Sequence, residues 1–96
     1  MENGELRIGG SICMGGNVVR DKSFAFALRV VRLSKHLQGE EKEFVLSKQV
    51  LRSGTAIGAL VRESEHAESK ADFTHKMSVA LKEANETQYW LELLSR

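Results

Sequence analysis

Proline is absent from all 96 residues. No segment is therefore barred from being a continuous helix by a missing N–H donor. There is one cysteine, Cys13, so no internal disulfide can form and no cysteine-based metal framework exists. Charge of one sign is not in excess: 14 Lys+Arg stand against 13 Asp+Glu, a net +1. The overall balance thus points to no nucleic-acid partner. No apolar run approaches the ~18 residues needed to span a bilayer. No signal-peptide core follows a basic amino terminus. The expectation is a soluble, cytoplasmic protein with no membrane partner. A chain of this size makes one domain at most and buries only about 60–65% of its unfolded surface, so oligomerisation would help it.

What is present is helical patterning. From Ser69 to Leu94 there is no glycine. Apolar residues recur at Phe73, Met77, Ala80, Ala84, Leu91 and Leu94, with Thr87 completing the alternation of threes and fours. That spacing predicts one face of a helix of about 25 residues, roughly 37 Å long. Ser69 followed by Asp72 resembles a capping box at its start.

A first helix is expected from about Asp21 to His36, with Asp21 or Ser23 near its cap. Phe24, Leu28 and Val31 form one stripe; Phe26, Val30, Leu33 and Leu37 form a second. Two stripes imply burial against more than one neighbour. Gly39 stands where a C′ glycine would end the helix. A second helix is expected from about Glu41 to Ser64 or His66, carrying Phe44, Leu46, Val50, Leu51, Ile57, Leu60 and Val61. Its centre contains Gly54 and Gly58, which cost about 1 kcal/mol each against alanine. The apolar period runs in phase across them, so the segment reads as helix. Two glycines four apart let another backbone approach closely. Residues 1–17 hold five of the eight glycines and read as a mobile tail, a leader or an upstream extension. Cys13 sits there as a free thiol. Residues 18–96 are the bundle domain. Short connections favour antiparallel neighbours. The fold expected is all-α, an antiparallel up-down helical bundle of three long helices.

The chemistry-bearing groups are sparse. Between Val18 and Leu37, five basic residues (Arg20, Lys22, Arg29, Arg32, Lys35) face one acid, Asp21, a local +4. This face could meet phosphates; its plainer reading is a solvated helix surface. Glu83 and Glu86 could act as an acid/base pair, or pair with Arg52 or Arg62 across a helix interface. The second is expected. Glu63-x-x-His66 and Asp72-x-x-His75 have carboxylate–histidine spacing reminiscent of di-metal bundles. Helix one has no acid between Lys22 and Gln38 to complete such a shell, so no metal site is expected. No nucleophile elbow or phosphate loop is present. No catalytic residue, cofactor or small-molecule substrate is assigned. Tyr89 and Trp90 read as core and interface anchors.

Several segments, in order, carry a resemblance. They are Asn17-Val18-Val19-Arg20-Asp21-Lys22-Ser23, Gln49-Val50-Leu51-Arg52-Ser53 leading to Ala56-Ile57-Gly58-Ala59, Arg62-Glu63, Ser69-Lys70-Ala71-Asp72-Phe73, and Leu81-Lys82-Glu83-Ala84-Asn85-Glu86-Thr87-Gln88-Tyr89-Trp90-Leu91. Together the chain resembles the four-helix-bundle family named after proteins encoded in intervening sequences of bacterial 23S rRNA genes. That family includes the accessory variability determinant of diversity-generating retroelements. The resemblance implies an antiparallel bundle assembled into a ring, a homopentamer, without enzymatic activity. For retroelement members it implies a partner reverse transcriptase and binding of RNA or DNA. The near-neutral charge departs from those strongly basic members. The fourth family helix is not matched, so either the chain is truncated or neighbouring subunits cover Trp90, Leu91, Leu93 and Leu94.

The expected function is a non-catalytic oligomeric scaffold or accessory protein, with a nucleic-acid-binding accessory factor as the alternative. The candidate residues for nucleic acid are Arg20, Lys22, Arg29, Arg32 and Lys35. Those for structural ion pairs are Arg52, Glu83 and Glu86. Those for core and oligomer contacts are Phe24, Phe26, Phe73, Trp90 and Leu94.

Overall fold

The computed structural model describes the backbone of residues 10–96 and the side chains from Val18 onward. Three helices follow in order: α1 (Gly10–Gly39), α2 (Val45–Ser64) and α3 (Lys70–Leu94). Of the expected tail, residues 1–9 and the Cys13 side chain lie outside what is described. The backbone of residues 10–17 continues α1, so the helix begins well before Asp21.

Local chemistry sets each boundary. After α1, the Glu40 and Glu43 amides return to the His36 and Leu37 carbonyls, both at 2.8 Å. The left-handed residue of this turn is Lys42 (φ 57°), whereas Gly39 stays out of that region. The glycine therefore does not serve as the left-handed cap its position suggested. α2 starts at Val45 instead of Glu41 because the Glu43 carboxylate accepts from the Val45 and Leu46 amides, at 2.6 and 2.8 Å. Those are two of the orphan donors of a helix start. At α3 the Ser69 hydroxyl accepts from the Asp72 amide at 3.0 Å, and Asp72 accepts from the Glu68 amide at 3.2 Å. The reciprocal bond thus lands one residue before the cap.

α2 is the middle helix and packs against both neighbours; among the described residues α1 and α3 do not pack on each other. The described molecule is a slab of 47 × 31 × 18 Å, thinner than two stacked helices at about 10–12 Å each with side chains. The buried apolar residues are Val30, Leu37, Val50, Val61 and Ala80, with Val50 fully covered. The rest of the interior is hydroxylated: Ser23, Ser34, Ser47, Ser53, Ser64 and Thr87. Each hydroxyl is satisfied, as burial requires. Ser34 donates to the Ser47 carbonyl, Ser53 to that of Gln49, Ser64 to that of Val61, and Ser23 to that of Arg20. Thr87 Oγ1 lies 2.8 Å from Ser53 Oγ, tying α3 to α2.

Small side chains permit close approach. Val30 of α1 lies directly over Gly54 of α2. This packing leaves two of the core and oligomer candidates at the surface of one chain. Phe24 and Phe73 were expected among core and oligomer contacts, yet they are 49% and 45% exposed within one chain. The interior is too thin to take them.

Candidate interaction site

α1's two stripes end on opposite flanks of the α1–α2 seam. Phe24 and Phe26 are two positions apart, hence about 200° around the helix. Phe26 and Leu33 turn toward α3. With Ile57 of α2 and Ala84, Thr87, Gln88 and Leu91 of α3, they line two adjoining open clefts of about 360 and 390 Å³. Arg29 stands at the rim of the second. Among the described residues α1 and α3 flank α2 without meeting, so the ridge of α2 forms the floor of the clefts.

Phe24 faces the other way. Arg62 of α2 lies over its ring, 5.2 Å from the centroid. Arg62 is therefore not a partner for Glu83 or Glu86. Leu28, one turn on, is also exposed, as are Leu81, Tyr89 and Leu93 of α3. Trp90 and Leu94 are half-buried, and the Trp90 ring meets Tyr89 edge-on at 5.2 Å.

The basic residues of α1 divide. Arg20 lies 3.7 Å from Glu65 and 3.8 Å from Asp21. Lys22, Arg29, Arg32 and Lys35 are exposed, and the ion pairs formed among the described residues involve other cations. On the opposite side Arg52 spans to Glu83 at 3.4 Å and contacts Glu86 closely. The Trp90 indole N–H donates to the same Glu86 oxygen at 3.1 Å. That indole bond, followed by the bond from Arg52, holds the Glu86 carboxyl below the usual carboxylate range. Glu86, foremost among the acids beside it, raises the Arg52 guanidinium above its ordinary value. Both side chains are part-exposed, so the network orients α3 against α2 more than it stabilises.

Among the described residues no group of three His, Cys, Asp or Glu is placed to hold a metal. Asp72 is engaged by the Glu68 amide and by Lys76 at 3.8 Å; Glu63 also faces Lys76 at 3.8 Å. The two carboxylate–histidine spacings are thus drawn into helix-end polar contacts. No described helix is long and apolar enough to cross a membrane.

The sequence showed both stripes of α1 but not which neighbour each would meet. Ile57, Gln88 and Leu91 were legible as apolar or polar helix positions, not as cleft lining. The usable signal is that Phe26 and Leu33 are seven residues apart, as are Leu81 and Gln88, a spacing that keeps each pair on one seam.

A family model described as 23S rRNA-intervening sequence protein matches residues 16–96. Among solved structures, the chain is similar to a protein of unknown function from the S23 ribosomal protein family of Bacteroides thetaiotaomicron. The two share 65% identity with a TM-score of 0.83, over 84% of this chain and 72% of that one. No curated protein matches.

Proposed function

The chain belongs to the 23S rRNA-intervening sequence protein family, and from that premise we propose that it is a non-catalytic scaffold that works as a homo-oligomer. The observation that carries this is the apolar surface left on both outer helices: Phe24 and Leu28 on α1, Leu81 and Tyr89 on α3, from 43% to 63% exposed. A thin slab with large exposed hydrophobics has reason to associate. The two patches differ, so a contact of one copy's α1 with the next copy's α3 is heterologous and closes into a ring when its rotation allows. A pentamer is the ring that the family resemblance favours. A scaffold role is consistent with the carboxylate held low among the described residues, Glu86, being committed to Arg52 and Trp90. Light scattering of the purified chain tests the reading. A stably folded monomer rejects it.

A second reading is favoured by one observation. Lys22, Arg29, Arg32 and Lys35 form an exposed basic band on α1 without carboxylates closing on them among the described residues. Repeated around a ring, such a band would bind RNA or DNA with an avidity one copy lacks. A reverse transcriptase would be the protein partner if the chain serves a retroelement. Titration with RNA at two salt concentrations tests this. Absence of binding at low salt, or binding unchanged by Arg29→Glu with Arg32→Glu, rejects it.

A further inference from the structure

Each outer helix carries a row of exposed side chains, and the two rows have the same spacing. On α1 the row is Phe24, Leu28, Arg32 and Lys35. On α3 it is Leu81, Asn85, Tyr89 and Glu92. Both step by four, four and three residues, which keeps each row within about 80° on its helix. Both rows face away from α2. Leu28 is two residues from Val30, which lies over Gly54, and Asn85 is two residues from Thr87, which bonds to Ser53. Two residues turn a helix by about 200°. The rows therefore lie on the outer edges of the slab, and none of their residues lines either cleft.

The rows also match in height. Arg20 meets Glu65 and Val30 meets Gly54, while Lys76 meets Glu63 and Thr87 meets Ser53. Both outer helices thus run antiparallel to α2 and parallel to each other. Ser53 and Gly54 are adjacent, so Val30 and Thr87 share a height to about 1.5 Å. Taken in order, each residue of the α1 row keeps the same offset from its counterpart in the α3 row as Val30 keeps from Thr87. Each such pair therefore shares a height, and rotation about an axis along the helices leaves height unchanged.

We infer that α1 of one copy lies beside α3 of the next in this register. The inference rests on the assembly proposed above and adds which side chains meet. Phe24 covers Leu81, and Leu28 covers Asn85. The Arg32 guanidinium lies over the Tyr89 ring, a contact of the kind Arg62 makes on Phe24 within one chain. Lys35 pairs with Glu92, and neither forms an ion pair among the described residues. Sliding α1 by one turn sets Leu28 on Tyr89, but it lifts each copy about 6 Å above the last and gives an open filament instead of a ring. The inferred contact covers Arg32 and Lys35, so of the exposed α1 cations Lys22 and Arg29 stay open to a phosphate backbone.

The test uses the full chain carrying Cys13→Ser, so that the added cysteines are the only ones. Leu28→Cys with Asn85→Cys is oxidised with copper–phenanthroline and run on a denaturing gel without reductant. The expected result is a ladder at whole multiples of one chain, collapsed by reductant. Leu28→Cys with Tyr89→Cys is expected to give at least five-fold less cross-linked product. Lys35→Glu and Glu92→Lys change exposed residues only. Each is expected to weaken association about three-fold, and the two together to restore it, with circular dichroism confirming that the variants are folded. An oligomeric protein that gives no ladder, or more product through Tyr89, overturns the register and leaves self-association standing. Failure of the double charge reversal to restore association does the same. A parent chain that sediments at the mass of one copy overturns the assembly and this inference together.

Discussion

A methyl group added at Gly54 would stand 2.8 Å from Cγ2 and 2.9 Å from Cγ1 of Val30. Val30 is buried and β-branched, so it has one strongly preferred rotamer in a helix and little room to give. Gly54→Ala is therefore expected to push α1 off α2 and cost about 1–3 kcal/mol, less the ~1 kcal/mol that alanine gains in helix propensity. At Gly58 the nearest atom to an added methyl is the Ser23 carbonyl at 3.5 Å, an ordinary contact. Gly58→Ala is expected to stabilise by about 0.5–1 kcal/mol. Urea unfolding at one fixed protein concentration checks both, and opposite signs are the expected result.

The Ser53–Thr87 contact joins α3 to the middle helix by a hydroxyl pair in the interior. Thr87→Val removes this contact while Ser53 still donates to the Gln49 carbonyl, so the expected cost is about 0.5–1.5 kcal/mol. Adding Ser53→Ala removes the other hydroxyl of the pair. A double-mutant cycle from thermal or urea unfolding should give a double-variant loss smaller than the sum of the two single losses.

Glu86 titrates low because the Trp90 indole and the Arg52 guanidinium both favour its charged form. A carboxyl whose pKa is depressed by folding contributes stability above its unfolded value, about 4.3 for glutamate. That contribution is lost as the pH falls through the depressed folded value. Trp90→Phe withdraws the leading donor, so the Glu86 carboxyl is expected to titrate closer to its ordinary range. A carbon-13 titration of the side-chain carboxyl checks this. Glu86→Gln is expected to flatten the acid limb of stability below about pH 4.3.

The three-helix order and the start of α3 were legible from sequence because each rests on local chemistry. The in-phase period across Gly54 and Gly58 marked α2 as one helix, and Ser69 with Asp72 marked the α3 cap. The start of α2 was not legible. It depends on the Glu43 carboxylate reaching the Val45 and Leu46 amides, and three of four residues from Glu40 to Glu43 are glutamates with equal claim on that role. The hydroxyl-rich interior was not legible for a related reason. Phe24 and Phe73 stand on periodic apolar stripes, and the period alone does not tell a face buried within the chain from one left at its surface. Close approach at Gly54 instead selects small residues, and the hydroxyls of Ser34, Ser53 and Thr87 find carbonyls within the helices. Which flank of α2 each stripe of α1 would meet is a tertiary fact, and it decides both candidate surfaces.

Exposed apolar residues on the outer helices give the scaffold reading a direct handle. Leu28→Glu places a charge on the surface beside Phe24 without touching the interior. It is expected to leave helicity intact and to weaken association by at least ten-fold. Circular dichroism together with gel filtration across a concentration series checks this.

The central claim is that this chain works as an assembly, and sedimentation equilibrium of the purified protein tests it most directly. One chain has a mass of 10.7 kDa. The predicted result is a mass that is a whole multiple of this value, held over a range of micromolar concentrations and lowered by Leu28→Glu. A folded, cooperatively unfolding species that stays at the mass of one chain up to the highest concentration would contradict it.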